Sequence, residues 1–283
     1  MYRDLFDAVR RHGGSKAAGV LRYMDAVRIS DWSDLTRARL EDFKAAARAD
    51  VSKSTAHGYM TVVRGIVTKY RDEPEINIPI TQEAMKEVWR ERLEDTVKVA
   101  LDRRELEALE QTMIRGRKAE IARRIFIVGA YTGMRLSDIL AVTPANISGG
   151  SLTYVSRKTG VSSTVPLRPA VGEYIAWLRE RADEARAVPR KTLNKAIKTA
   201  ALSAGLKDIV TVHRGDATRE GEKWQFVTMH TARVSFCTNL ARLGVPILDI
   251  ARMAGHRTIK QTLKYIVDTA PELTPRQLAY FRD

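Results

Sequence analysis

Four short stretches place reactive side chains at regular intervals. Arg135 stands in TGMRLSDIL (132–140), just after a glycine positioned to end a helix. Lys158 stands in RKTG (157–160), between two β-branched runs. HTAR (230–233) sets His230 and Arg233 one helical turn apart, on the same face. GHRTIKQTLKYI (255–266) puts His256 after a glycine and Tyr265 further along the same stretch. Arginine offers a planar fork that fits phosphate with two bonds. Histidine exchanges protons near neutral pH, and a tyrosine hydroxyl can act as a nucleophile. Each residue also has an ordinary explanation. Arg135 could pair with Asp138, Lys158 could be a solvated turn residue, and His230 and Arg233 could cap or pair locally. Tyr265, close to Leu263 and Ile266, could be a core aromatic. All four stretches together, in this order, are hard to explain that way.

The elements that must hold these residues are mostly helices. In the first eighty residues Leu5, Phe6 and Val9, then Leu21, Met24 and Val27, then Leu40 and Phe43 recur at helical spacing. Breaks fall at Gly13-Gly14 and near Ser30-Asp31. A further helix starts at Ser54-Thr55, with Tyr59, Val62, Val63, Ile66 and Val67 as its apolar stripe, and ends at Asp72-Glu73-Pro74. The expectation is a four- or five-helix bundle over 1–80, a linker over 81–97, and a second domain with a C-terminal tail over 98–283. That second domain opens with a capping box, Asp102 and Glu105, for a helix over 103–113. A helix over 119–131 follows, stopping at Thr132-Gly133, and another begins near Ser137. Runs 151–156 and 163–167 read as a hairpin whose polar tip carries Lys158. Helices are expected over 170–187, 193–204, 231–243, 247–254 and 259–267, with 211–225 a polar loop or second hairpin. The fold class is mainly α with a small β-sheet.

Composition narrows the function. Across 283 residues, 48 lysines and arginines face 34 acidic side chains, a net charge of +14. The excess leans toward residues 81–283 and is concentrated in no tail, which favours a polyanion lying in a broad groove. No run approaches the ~18 apolar residues that span a bilayer. Asp4 and Asp7 fall where a signal peptide needs its apolar core, so a soluble intracellular protein is expected. Cys237 is the only cysteine, which excludes an intrachain disulfide and argues against a thiolate zinc site. Two-metal nucleases need clustered carboxylates, yet Asp138 is the only acidic residue within the four stretches. It reads as an orienting partner for Arg135 or a helix-start residue. No P-loop motif occurs. Neither a metal nor a cofactor is expected.

With those residues in view, the sequence resembles the tyrosine recombinases, the phage-type integrases, over essentially its whole length. That family carries an arginine in a T-G-x-R segment, a lysine in a β-hairpin, an H-x-x-R helix, a G-H segment and a following nucleophilic tyrosine. Arg135, Lys158, His230, Arg233, His256 and Tyr265 match these positions. The resemblance implies a C-shaped clamp on double-stranded DNA, with residues 1–80 as the core-type DNA-binding domain. It also implies a covalent 3′-phosphotyrosine intermediate made without metal or ATP. Nothing here resembles the additional arm-type module of larger integrases.

The chemistry of the residues fits that expectation. Attack on a phosphodiester builds negative charge on two non-bridging oxygens, which Arg135 and Arg233 can meet with two forks and His256 with a third donor. A phenol ordinarily ionises at about 10, so the nucleophile needs either a base, for which His230 is the candidate, or a strongly cationic pocket. Lys158 is the candidate proton donor to the leaving 5′-oxygen. A type IB topoisomerase-like relaxing enzyme shares this chemistry, and a non-catalytic DNA-binding regulator could share the scaffold. A regulator would be expected to have lost one of the matching residues; all are present. The expected assembly is a monomer in free solution and a homotetramer on DNA, in the cytoplasm of a bacterial or archaeal host, with accessory DNA-bending or directionality factors as further partners. Leu273, Leu278, Tyr280 and Phe281, after Pro271, form an apolar patch on a short tail that could dock on a neighbouring copy or pack on its own domain, and docking on a neighbour is the expectation.

Overall fold

The computed structural model describes residues 4–90, 98–214 and 217–267. Contacts divide the chain into two units, Met1–Glu94 and Asp95–Asp283. The first holds α1 (Leu5–His12), α2 (Ala17–Ala26), α3 (Arg37–Asp50), α4 (Lys53–Tyr70) and α5 (Gln82–Trp89). Asp4, Thr36, Ser52 and Thr81 cap four of these helices with side-chain oxygens, so α4 starts slightly earlier than its sequence pattern suggests. Leu40, Phe43, Ile66, Val67 and Met24 fill a single core.

The expected linker over 81–97 requires correction. Residues 82–89 are helix α5, and Met85, Val88 and Trp89 are buried in the first unit's core. The charges between them, Lys86 and Glu87, face outward on an amphipathic helix, which a composition reading takes for a solvated connector.

The second unit begins with α6 (Arg103–Gln111), closed at its start by the Asp102–Glu105 capping box, and α7 (Arg117–Thr132). The short α8 (Leu136–Ile139) follows. Strands β1 (Ile147–Ser148), β2 (Ser151–Val155) and β3 (Ser162–Pro166) make an antiparallel sheet in that order, with Leu152 opposite Val165 on the buried face. Next come α9 (Pro169–Glu180), α10 (Ala182–Ala187) and α11 (Arg190–Ser203). The single helix expected over 170–187 breaks at Arg181, whose guanidinium folds back onto the Trp177 ring and carbonyl. Residues 211–225 do form a hairpin, β4 (Ile209–Arg214) with β5 (Ala217–Glu222). The described chain closes with α12 (Thr231–Arg242), α13 (Ile247–Ala254) and α14 (Ile259–Leu263).

Helix α7 runs through the middle of this unit and is buried along most of its length. It packs on α9, α11 and α12, so its C-terminal end is held rigidly. Arg135 follows that end directly.

Candidate active site

Helix α7 stops at Gly133, whose φ of +68° is left-handed backbone. A Cβ at that position would lie 2.5 Å from the Phe236 ring, so only glycine fits. The turn sends Arg135 into extended backbone and leaves the Gly133 carbonyl to accept from Nη1 of Arg233, 2.5 Å away. Arg135 Nη1 donates to Ser156 Oγ at 2.8 Å, and Ser156 donates on to Asp138 at 3.3 Å. Asp138 also accepts from the Arg157 amide at 3.1 Å. The carboxylate therefore orients Arg135 through a hydroxyl from Ser156, the residue that follows β2, rather than by the direct pair that local spacing suggests.

Arg233 lies on α12 and is only 1% exposed. Its Nε and Nη2 are buried with no hydrogen-bond partner among the described residues, and so is Nε2 of His256. Buried unsatisfied donors are rare in native proteins because each one costs free energy. Two such side chains in one site mark a place made for an anion. On its other side the His256 ring meets the Thr262 hydroxyl, Nδ1 to Oγ1 at 2.9 Å. In the tautomer that accepts this hydrogen bond, Nε2 carries the proton and can donate. Burial, then the charges of Arg233, Arg135 and Lys98, push the His256 imidazole down to about 3. His230 is pushed down to about 4 by the protein packed around it and then by Lys98, Arg233, Arg190 and Arg135. His230 is itself exposed, and solvent screens part of those charges. Both imidazoles are neutral at pH 7.

Tyr265 joins this cluster. Its ring centre is 5.2 Å from that of His230 and 4.9 Å from that of His256. The Arg233 guanidinium is 5.3 Å from the ring centre and the Lys98 ammonium 4.4 Å. Without DNA the tyrosine could have stood off from the site, but here it is seated. The helix expected over 259–267 also ends early, because Thr238 of α12 captures the chain. Its hydroxyl donates to the Tyr265 carbonyl and accepts from the Val267 amide, both at 3.1 Å.

Lys158 is the exception. It is exposed in the turn between β2 and β3, away from the contacts that link the other five. The turn itself is anchored to the site. Thr159 Oγ1 donates to the Gly255 carbonyl at 3.2 Å, and Arg257 donates to the Thr159 carbonyl at 2.9 and 2.6 Å. Lys158 thus sits one residue from a contact with the His256 loop.

Lys98, Ser156, Thr238 and Thr262 escaped the sequence reading. Ser156 and Thr262 lie within or beside the four stretches but carry no spacing signal. Lys98 is 166 positions from the residue it bonds, and nothing local points to it. Among the described residues, no group of three His, Cys, Asp or Glu side chains is placed to hold a metal. No helix among them is long and apolar enough to cross a membrane.

The family model for the phage integrase family matches residues 99–271. The chain belongs to the phage integrase family. Relatives of this chain include tyrosine recombinase XerA of Pyrococcus furiosus, 27% identical over 172 residues, covering 55% of this chain and 54% of that protein. The integrase of Escherichia phage P2 is 31% identical over 155 residues, 53% of this chain and 38% of that protein. The matched part thus spans about half or less of the curated relatives. Among solved structures, a lambda integrase dimer bound to a COC′ core site superimposes with a TM-score of 0.60 at 15% identity, covering 96% of this chain and 98% of that one. At that identity the likeness speaks for the integrase fold, mainly helical with small antiparallel sheets.

Proposed function

We propose that this integrase-family chain is a site-specific DNA recombinase whose nucleophile is Tyr265, and that residues 1–80 form its second DNA-binding body. One observation carries the reading: the unpartnered Nε and Nη2 of Arg233 and Nε2 of His256 are buried beside the Tyr265 ring. A scissile phosphate would supply the missing acceptors, with Arg135, steadied by Ser156, adding a second fork. Such prearranged donors act most strongly on charge that develops in the transition state.

The steps follow from the residues. The Tyr265 hydroxyl oxygen attacks phosphorus, its proton passes to neutral His230, and the bond to the 5′-oxygen breaks. Lys158, on its exposed turn, brings the proton that the 5′-oxygen takes. The 3′-phosphotyrosine ester conserves the bond energy, so a 5′-hydroxyl from another strand can attack it and release Tyr265.

The test is a nicked suicide duplex that traps the ester, analysed on a denaturing gel. The wild-type chain should form a protein–DNA adduct in the presence of EDTA. Tyr265→Phe should bind the same duplex with near-normal affinity and form no adduct. An adduct that persists in Tyr265→Phe, or one that vanishes in EDTA and returns with Mg²⁺, would refute the reading.

A further inference from the structure

Two cations address the Tyr265 ring. Arg233 belongs to the anion site, whereas Lys98 belongs to the extended stretch that precedes α6. Its ammonium is 4.4 Å from the ring centre and also donates to the Lys264 carbonyl at 2.7 Å. Lys98 therefore grips the tyrosine twice, once through the ring and once through the preceding peptide.

The backbone around it is fastened to the same helix that holds the tyrosine. The Leu101 amide donates to Ser235 Oγ at 2.8 Å, and the Leu101 carbonyl accepts from Asn239 Nδ2 at 3.0 Å. Thr238, on the same side of α12, takes the Tyr265 carbonyl. Ser235, Thr238 and Asn239 thus form a rail on α12 that aligns residue 98 and residue 265 side by side.

We propose that Lys98 is a positioning residue for the nucleophile: it holds the Tyr265 phenol and its peptide in the cationic site before DNA arrives. This inference rests on the recombinase reading above. Its value to the reaction is geometric, because a reacting oxygen displaced by about an ångström can cost up to a hundredfold in rate. It also adds charge. Tyr265 is faced by His230, His256, Arg233 and Lys98, while His230 is faced by Lys98, Arg233, Arg190, Arg135 and the Tyr265 ring. Removing the lysine takes one cation from each set, so the base should protonate at a higher pH.

The experiment compares the full chain with Lys98→Met, which keeps the stem without the charge, and Lys98→Arg, which restores a stacking cation. Adduct formation is followed against pH on the suicide duplex, and duplex affinity is measured against salt. Lys98→Met should form adduct roughly ten- to a hundredfold more slowly, with duplex affinity and its salt slope unchanged. Its acid limb should move to higher pH, and Lys98→Arg should recover most of the rate. An unchanged rate in Lys98→Met overturns the proposal. So does a parallel loss of affinity with a shallower salt slope, which would make Lys98 a phosphate contact, or a loss in both variants with lowered thermal stability. A second measurement needs no DNA cleavage. In fluorotyrosine-labelled protein, the fluorine resonance assigned to Tyr265 by its loss in Tyr265→Phe should shift and broaden in Lys98→Met and return in Lys98→Arg. If that resonance is indifferent to Lys98 the positioning role is wrong, whereas absence of any wild-type adduct would count against the recombinase reading alone.

Discussion

Arg233 takes a full positive charge to a place only 1% exposed, with one donor on the Gly133 carbonyl and two nitrogens with no partner among the described residues. That arrangement is unfavourable in the free protein and favourable once an anion enters. The neighbouring His256 and His230 respond by staying neutral. Lysine at 233 would present a single compact ammonium in place of the fork. Arg233→Lys should reduce adduct formation by roughly 10²–10³-fold, as for the loss of one prearranged donor, while gel-shift affinity changes little. The histidines also predict a pH dependence of stability. The folded-state value for His256, about 3, lies below its ordinary 6.5. The unfolded chain therefore takes up the proton first, so stability is complete above pH 6.5 and falls as pH drops toward 3. The contribution is on the order of 1–3 kcal/mol. Denaturant titrations at pH 7 and pH 4.5 should show His256→Gln losing less stability over that interval than wild type. An equal or larger loss in the variant would contradict this account.

At the level of elements, the joint between α7 and α8 carries most of the geometry. Gly133 sets the backbone that launches Arg135 and at the same time supplies the carbonyl that receives Arg233. Gly133→Ala forces a side chain into left-handed backbone and against the Phe236 ring. A loss of roughly 2–4 kcal/mol is expected from the two effects together. Adduct formation should fall further than stability explains when measured well below the melting temperature. A variant that melts like wild type would show that the joint relaxes freely. The sheet makes a second joint. Asp138 holds both Ser156 and the Arg157 amide, and Arg257 and Gly255 hold Thr159, so the turn bearing Lys158 is pinned on both sides of the lysine. The exposed lysine side chain extends from that pinned backbone.

At the scale of the whole molecule, strand exchange between two duplexes, on the recombinase reading proposed above, requires four protomers, two active at a time. Leu273, Leu278, Tyr280 and Phe281, the residues expected to link them, lie outside the described part of the chain, and the assembly is inferred from sequence alone. The expectation is a monomer in free solution and a cyclic tetramer on DNA. Deleting residues 273–283 should leave single-site binding in place and abolish synapsis, as read by sizing the complexes on paired duplexes. Normal recombination by the truncated protein would rule out trans docking of the tail. Net charge belongs to this scale too. A net charge of +14 favours phosphate backbones in general, so on the proposed reading affinity alone would say little about which site is cut.

Much of this protein could be read without coordinates. Helical periodicity marks α3 and α4, because one buried stripe per helix leaves a local record. The Asp102–Glu105 capping box and the Gly133 stop are equally local, and both stand in the structure. Arg135, His230, Arg233, His256 and Tyr265 could be named because each lies in a short stretch of recognisable spacing. Their convergence, by contrast, depends on α7 packing against α12 and on the sheet meeting the His256 loop, contacts made by residues about a hundred positions apart. The early end of α14 and the half-buried seat of Tyr265 depend on Thr238, and the grip of Lys98 on a partner near the far end of the chain. The helical character of α5 was obscured for a related reason, since only the core it covers distinguishes it from a charged connector. Short-range spacing encodes which groups are available. Which of them touch is set by long-range packing, where one hydroxyl or carbonyl from a distant element outweighs local propensity.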